Sequence, residues 1–145
     1  MSLVSDIVAR LSAIDPQVFS IVGDAAEFAA IDTVPLSRPA VYAFIKEEAS
    51  TANERGTGPV LQRCEADVAV IIITDNVGDH EGAAASGDLE ALKQTVRAAL
   101  IGFVPDASQD GTPVEHLSGQ LIKFRQGTVW HEELFAAAYY IAEVP

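Results

Sequence analysis

Apolar residues recur at three- and four-residue spacing from the start of the chain, at Leu3, Val4, Ile7, Val8, Leu11 and Ile14, with Ser5, Asp6, Arg10 and Ser12 between them. That spacing predicts an amphipathic helix. Ser2 is placed to cap it, and Asp15-Pro16 to end it, because proline disfavours helical dihedrals in the preceding residue and cannot donate to the ladder. Val18 to Val22 reads as a short strand closed by Gly23-Asp24, and Ala25 to Ile31 as one or two helical turns. After Pro39, the run Ala40 to Ile45 is rich in β formers and predicts a strand. The character changes at Lys46. From there to Pro59 the chain is polar and glycine-bearing, which predicts a long loop of the kind that carries function.

Val60 to Asp75 alternates at first, Gln62, Cys64 and Ala66 opposing Arg63, Glu65 and Asp67, and then runs unbroken from Val68 to Ile73. A strand apolar on both sides needs cover on both faces, from helices of the same chain or from a second subunit. Asn76 to Gly87 reads as a second polar loop. The face Leu89, Leu92, Val96, Ala99, Leu100 and Phe103 then predicts a helix, capped by Ser86 or Asp88 and stopped before Pro105. Asp106 to Thr112 reads as loop. Gln126-Gly127 links two further segments, Gln120 to Arg125 and Thr128 to Ile141, as a tight hairpin. Its second arm is ambiguous: four alanines and two glutamates between Glu132 and Ala142 favour helix by propensity, whereas the hairpin and Val129, Trp130, Phe135, Tyr139, Tyr140 and Ile141 favour strand, and strand is the expectation. The fold class these elements give is α+β, two main helices packed on a mostly antiparallel β-sheet, in a single domain spanning residues 1–145.

With 49% hydrophobic and 21% charged residues, 145 residues suffice for a core without disulfide or metal staples. Cys64 is the lone cysteine, so no disulfide can form within the chain, and its place inside a strand pattern predicts a buried structural thiol. The start of the chain has no basic segment before an apolar run, and no apolar stretch is long enough to span a bilayer, so neither export nor membrane insertion is expected. A net charge of −12 repels phosphate backbones and anionic lipid, which removes nucleic acid and membrane surfaces from the expected partners.

Motifs for chemistry are missing their defining residues. His131-Glu132-Glu133 begins like a metalloprotease helix, but Phe135 stands where the second ligand belongs, and the three histidines His80, His116 and His131 read as surface residues. Asp75, Asp79, Glu81 and Asp88 cluster after the buried strand where carboxylates could act as acid and base or hold a hard cation, and a small acidic metal-binding or enzymatic domain would use Asp75, Asp79, His80 and Glu81, yet Asn76 to Gly82 breaks the calcium-loop order. Gly82 to Gly87 precedes a helix but lacks the Lys-Ser/Thr ending of a phosphate cradle. The expectation is a non-enzymatic protein with no cofactor and no metal. Most aromatics are expected in the core, some at interfaces.

Taken in order, several blocks resemble the tail terminator proteins of long-tailed bacteriophages and their prophage copies: Arg38-Pro39-Ala40-Val41-Tyr42, the loop reaching Gln62, Val68 to Ile73 leading into Asp75-Asn76, Gly82-Ala83-Ala84, Leu89 to Leu100, Gly102-Phe103-Val104-Pro105, Gly119-Gln120-Leu121, and Trp130 before an aromatic strand. They cover Arg38 to Ile141. Phe103 and His131 stand where the family pattern more often has aromatic Trp and a further aromatic residue. The resemblance implies a tail-assembly protein without catalysis. It implies a homo-oligomeric ring, typically of six subunits, that caps the tail tube, ends its elongation and prepares head joining, with tail tube protein and head–tail connector proteins as partners. The host cytoplasm and then the virion tail are its implied locations; a head–tail connector or neck protein is the neighbouring alternative. The two polar loops supply the expected contacts, through Glu47, Glu48, Asn53, Glu54 and Arg55 in one and Asp79, His80 and Glu81 in the other.

Overall fold

A computed structural model describes residues 2–76 and 83–144. Its elements run α1 (Leu3–Ser12), β1 (Ile21–Gly23), α2 (Ala25–Ala29), β2 (Ala40–Ser50), β3 (Leu61–Asp75), α3 (Ala83–Leu100), β4 (Glu115–Arg125) and β5 (Thr128–Ala142). The five strands form one sheet in the order β1-β2-β3-β5-β4. Among the described residues only β1 and β2 pair in parallel and every other pair is antiparallel, so the α+β reading stands.

The helix starts where its first turn is satisfied. Ser2 Oγ accepts from the Ser5 amide at 3.1 Å and Ser5 Oγ accepts from the Ser2 amide at 3.0 Å, a reciprocal cap that occupies two otherwise orphaned donors. Leu3, Ile7 and Leu11 then face the sheet fully buried. α3 does the same through Leu92, Val96 and Leu100. These two helices cover one face of the sheet, where Val41, Ala43, Val68, Val70, Ile72, Phe135 and Ala137 complete the larger core.

The opposite face holds Ala40, Tyr42, Ala69, Ile71, Ile73 and Trp130. A short helix roofs it: Phe28 of α2 lies 5.6 Å from Tyr42, 5.3 Å from Phe44 and 6.0 Å from Trp130, ring centre to ring centre, within the range of favourable aromatic pairing. The double burial of Val68 to Ile73 is therefore met within the chain, by helices on one side and by α2 with the segment around Ile31 on the other.

β3 is the axis of the sheet. It pairs with β2 from Ala40↔Ile73 to Ser50↔Cys64 and with β5 along its whole length, from Leu61↔Ala142 to Asp75↔Thr128. The second pairing decides the ambiguous arm: Glu132 to Ala142 is strand, because β3 offers backbone partners along all of it and β4 as far as Ala136, which outweighs alanine's helix preference. Gln126 and Gly127 make the turn, both at positive φ (46° and 77°), the geometry that two-residue hairpin links require.

Three local expectations are corrected. Lys46 to Ser50 belongs to β2 and not to a loop: Lys46 sits at a bulge between Ile45 and Glu47, and Glu47 to Ser50 pair with Asp67 to Cys64 even though their side chains are mostly solvated. The loop is thereby shortened to residues 51–60. α3 begins at Ala83, upstream of Ser86 and Asp88, so neither caps it and the second polar loop ends earlier than its composition suggests; the alanines there are strong helix formers. His116 and His131 lie in β4 and β5, and His131 is 5% exposed, so they are not surface loop residues.

Candidate functional site

The residues expected to make contacts divide between two ends of the sheet. Asn53, Glu54 and Arg55 are exposed in the loop after β2, and that loop is internally tied. Asn53 Oδ1 accepts from the amides of Leu61 and Arg55 at 3.0 and 3.2 Å, and Arg55 Nη1 donates to the Pro59 carbonyl at 3.2 Å. Glu47 and Glu48 sit on β2 instead. Glu48 Oε2 accepts from Tyr139 Oη at 2.5 Å and faces the buried Cys64 Sγ at 3.8 Å; that hydrogen bond, and then burial, push the Tyr139 phenol above its ordinary range. Asp79, His80 and Glu81 lie outside the described residues. The chain reaches them from Asn76, at the opposite end of β3 from Leu61. Fourteen residue steps of strand put those ends roughly 45 Å apart, so the 51–60 loop and Asn76 lie at opposite ends of β3.

Of the acidic set considered for metal or enzymatic chemistry, Asp75 is committed elsewhere: its Oδ1 receives Arg38 Nε at 2.5 Å. Among the described residues, no group of three or more His, Cys, Asp and Glu is placed to hold a metal ion.

A buried ionic cluster was not anticipated. Glu133 is fully buried on the helix-covered face, opposite Val70, and its carboxylate receives Arg97 Nη2 of α3 at 2.8 Å. His131 Nε2 lies 3.1 Å from the same oxygen, and His116 Nε2 of β4 contacts the other. Burial pushes the Glu133 carboxyl up, but hydrogen bonds from His116, Arg97 and His131 outweigh it and hold the group below the usual carboxylate range. For His131, burial dominates and lowers its proton affinity despite Glu133. Gly119 makes room for the arrangement: a Cβ there would lie 3.2–3.3 Å from both Glu133 oxygens and from His131 Nε2. A signal existed in the sequence, because Val129, His131, Glu133, Phe135 and Ala137 alternate onto one face and an acid at the centre of an apolar face must find partners.

A second ionic group ties β3 to the loop after α3. Arg63 donates to Asp110 at 2.9 Å, to Glu65 at 2.7 Å and to Thr112 at 3.2 Å. Hydrogen bonds from Thr112 and Arg63 hold the Asp110 carboxyl far below its ordinary value. Both groups fasten the frame rather than open a reaction space.

What the frame leaves open is its β4 edge. Leu117, Leu121, Ile122 and Phe124 are 48%, 50%, 42% and 62% exposed along an eleven-residue strand that pairs on one side only. A long edge strand carrying large apolar side chains is a template for association unless something covers it. Two register shifts against β5, at His116/Ser118 and Leu121/Lys123, leave Leu117 and Ile122 without a paired residue, while Leu121 and Phe124, opposite His131 and Val129, stay on the helix-covered face.

No curated protein sequence matches the chain. Among solved structures it is similar to a chain from a particle described as "Virion of native gene transfer agent (GTA) particle", with a TM-score of 0.57 and 18% identity over 96% of this chain and 95% of that one, a likeness of fold. The family model for "Phage tail terminator protein" matches residues 2–143, extending to the first helix the resemblance carried by Arg38 to Ile141. The chain, with its helix-backed sheet and open β4 edge, belongs to the phage tail terminator protein family.

Proposed function

We propose that this chain assembles with copies of itself into a closed ring on the end of a tail tube, stops the tube's elongation there, and then offers the head–tail connector a surface to join. The observation that carries the reading is the β4 edge: four large apolar side chains held in solvent on an open strand are a poor solution for a monomer and a good one for a subunit. A ring of identical subunits needs two different surfaces that meet head to tail. Six subunits is the number the family resemblance implies. No bond is made or broken in this role.

The 51–60 loop, with Asn53, Glu54 and Arg55, and the segment with Asp79, His80 and Glu81 leave opposite ends of β3, which suits one for the tube side and the other for the head side. Glu47 and Glu48 flank the first of these on β2. Assembly takes place in the host cytoplasm, and the ring remains in the virion tail.

The test is size-exclusion chromatography with light scattering, together with electron microscopy of tail tube protein in the presence of this chain. Concentration-dependent ring-sized species and capped tube ends are expected. A protein that stays monomeric and never binds tube ends overturns the proposal, and one that binds the portal-side components but not the tube is a connector.

A further inference from the structure

The order of side chains along β4 is nearly the same read from either end. Its register against β5 sorts them by face. Glu115, Gln120 and Arg125 lie opposite Ala136, Glu132 and Thr128 on the α2 side of the sheet, together with Ser118 and Lys123. His116, Gly119, Leu121 and Phe124 lie opposite Phe135, Glu133, His131 and Val129 on the side of α1 and α3. Gln120 is the middle residue of the strand. Counting outward from it, Gly119 matches Leu121 in face, His116 matches Phe124, and Glu115 matches Arg125. Only the steps that hold the unpaired Leu117 and Ile122 depart from this order, and each half of the strand contains one of them.

A second β4 laid antiparallel beside the first, about a two-fold axis through Gln120, therefore meets it like face to like face, the condition that a period of two imposes on any strand pairing. All eleven residues of each strand find a neighbour. Each bulge faces the other copy's bulge, so the extra residue in one strand is met by an extra residue in its mate. Leu121 of each copy lies opposite Gly119 of the other, which has no side chain to resist it, and Phe124 lies opposite His116. At both ends of the seam an exposed Glu115 faces an exposed Arg125 on the α2 side, while Lys123 keeps its place over the Trp130 ring.

We propose that two copies join through β4 in this register into a two-fold dimer, one continuous sheet in which each copy covers the other's apolar edge. The occupant of the edge is a second copy of this chain, because face order, strand length and charge are all self-complementary about Gln120. A two-fold contact ends at two copies, so the dimer is not a piece of the ring proposed above. It goes beyond that reading: β4 cannot serve both, and the dimer keeps a long apolar edge from open-ended association until a subunit leaves it to join the ring.

Light scattering at rising concentration reads the dimer. Glu115→Arg and Arg125→Glu each set like charges against each other at both ends of the seam, and each is expected to raise the concentration needed for dimerisation about tenfold or more. The double variant Glu115→Arg/Arg125→Glu restores opposite charges and is expected to dimerise at close to the wild-type concentration; the two single variants, mixed, are expected to form mixed dimers. Both positions are exposed, and circular dichroism checks that folding is unchanged. Gln120→Cys, treated with diamide, is expected to form a disulfide-linked dimer, since the axis sets the two thiols directly opposite each other. Ser118→Cys is expected not to, because it lies four residues along the seam from its own mate, roughly 13 Å. Cys64 is buried in each copy and does not compete.

A wild-type chain that stays monomeric, a double variant no better than the single ones, or linking through position 118 and not 120 overturns the dimer. Capping of tail tubes reads the ring separately. The linked Gln120→Cys dimer is expected to leave tube ends uncapped until it is reduced, and capping by the linked form overturns the shared use of β4. A wild-type chain that dimerises but never caps a tube overturns the ring and leaves the dimer standing.

Discussion

β3 and β4 are both strands with several large apolar residues, and they meet opposite fates. In β3, Val68 to Ile73 alternate between two covered faces and are almost completely excluded from solvent. In β4, Leu117, Leu121, Ile122 and Phe124 have β5 on one side and solvent on the other. The difference comes from position in the sheet, not from composition: the central strand inherits cover from α1, α3 and α2, and none of these reaches the far edge. Apolar area that a fold leaves uncovered is a template for association, and the proposed self-assembly is argued from it.

The largest expected effect lies on the covered side of that contrast. Phe135→Ala opens a fully buried site opposite Val68, where the ring packs edge-on against His116 at 5.3 Å, and should cost about 3–5 kcal/mol in urea denaturation. A loss near zero would mean that the helix-covered face is not the main source of stability. Glu133→Gln should cost less, about 2–3 kcal/mol, because Arg97 keeps a polar neighbour but loses its counter-ion and is itself partly exposed.

Acid probes the same cluster more gently. Folding lowers the proton affinity of both Glu133 and His131, so the unfolded chain binds more protons than the folded one. Stability should therefore fall as pH drops below the ordinary histidine value of 6.5 and fall again below the ordinary glutamate value of 4.5. Chevron or melting data across that range check the slope. Glu133→Gln should flatten the lower part, and an unchanged profile would show that the carboxylate is not what the acid titrates.

The smallest effect is the one that sharpens the comparison. Phe124→Ser should change the stability of the monomer by no more than about 0.5 kcal/mol, since the ring is largely solvated, while markedly weakening self-association. If it destabilises the fold as core changes do, β4 belongs with β3 and not against it.

Where sequence reading and structure part company, the cause is the same in each case. The helix spacing of α1 and α3, the doubly apolar run in β3 and the Gln126-Gly127 turn are written in local pattern, and each is found where it was expected, apart from the earlier start of α3 at Ala83. Lys46 to Ser50 misleads because a polar strand that extends past its covered region still gains backbone pairing from its neighbour. The Glu133 cluster misleads because its four members come from α3, β4 and β5, and nothing in any one segment shows that Arg97 will lie over Glu133. The contact residues chosen for polarity, such as Asn53, partly spend that polarity closing their own loop.

By itself the sequence determined the fold class, the main helices, the central strand and the tail-terminator resemblance, because all of these rest on periodicity and on ordered blocks along the chain. Tertiary structure alone decided which apolar strand is buried, which acid is neutralised, and which strand edge keeps large apolar side chains in solvent. Those are properties of residues distant in sequence, set by strand order and register, and burial and electrostatics act through space.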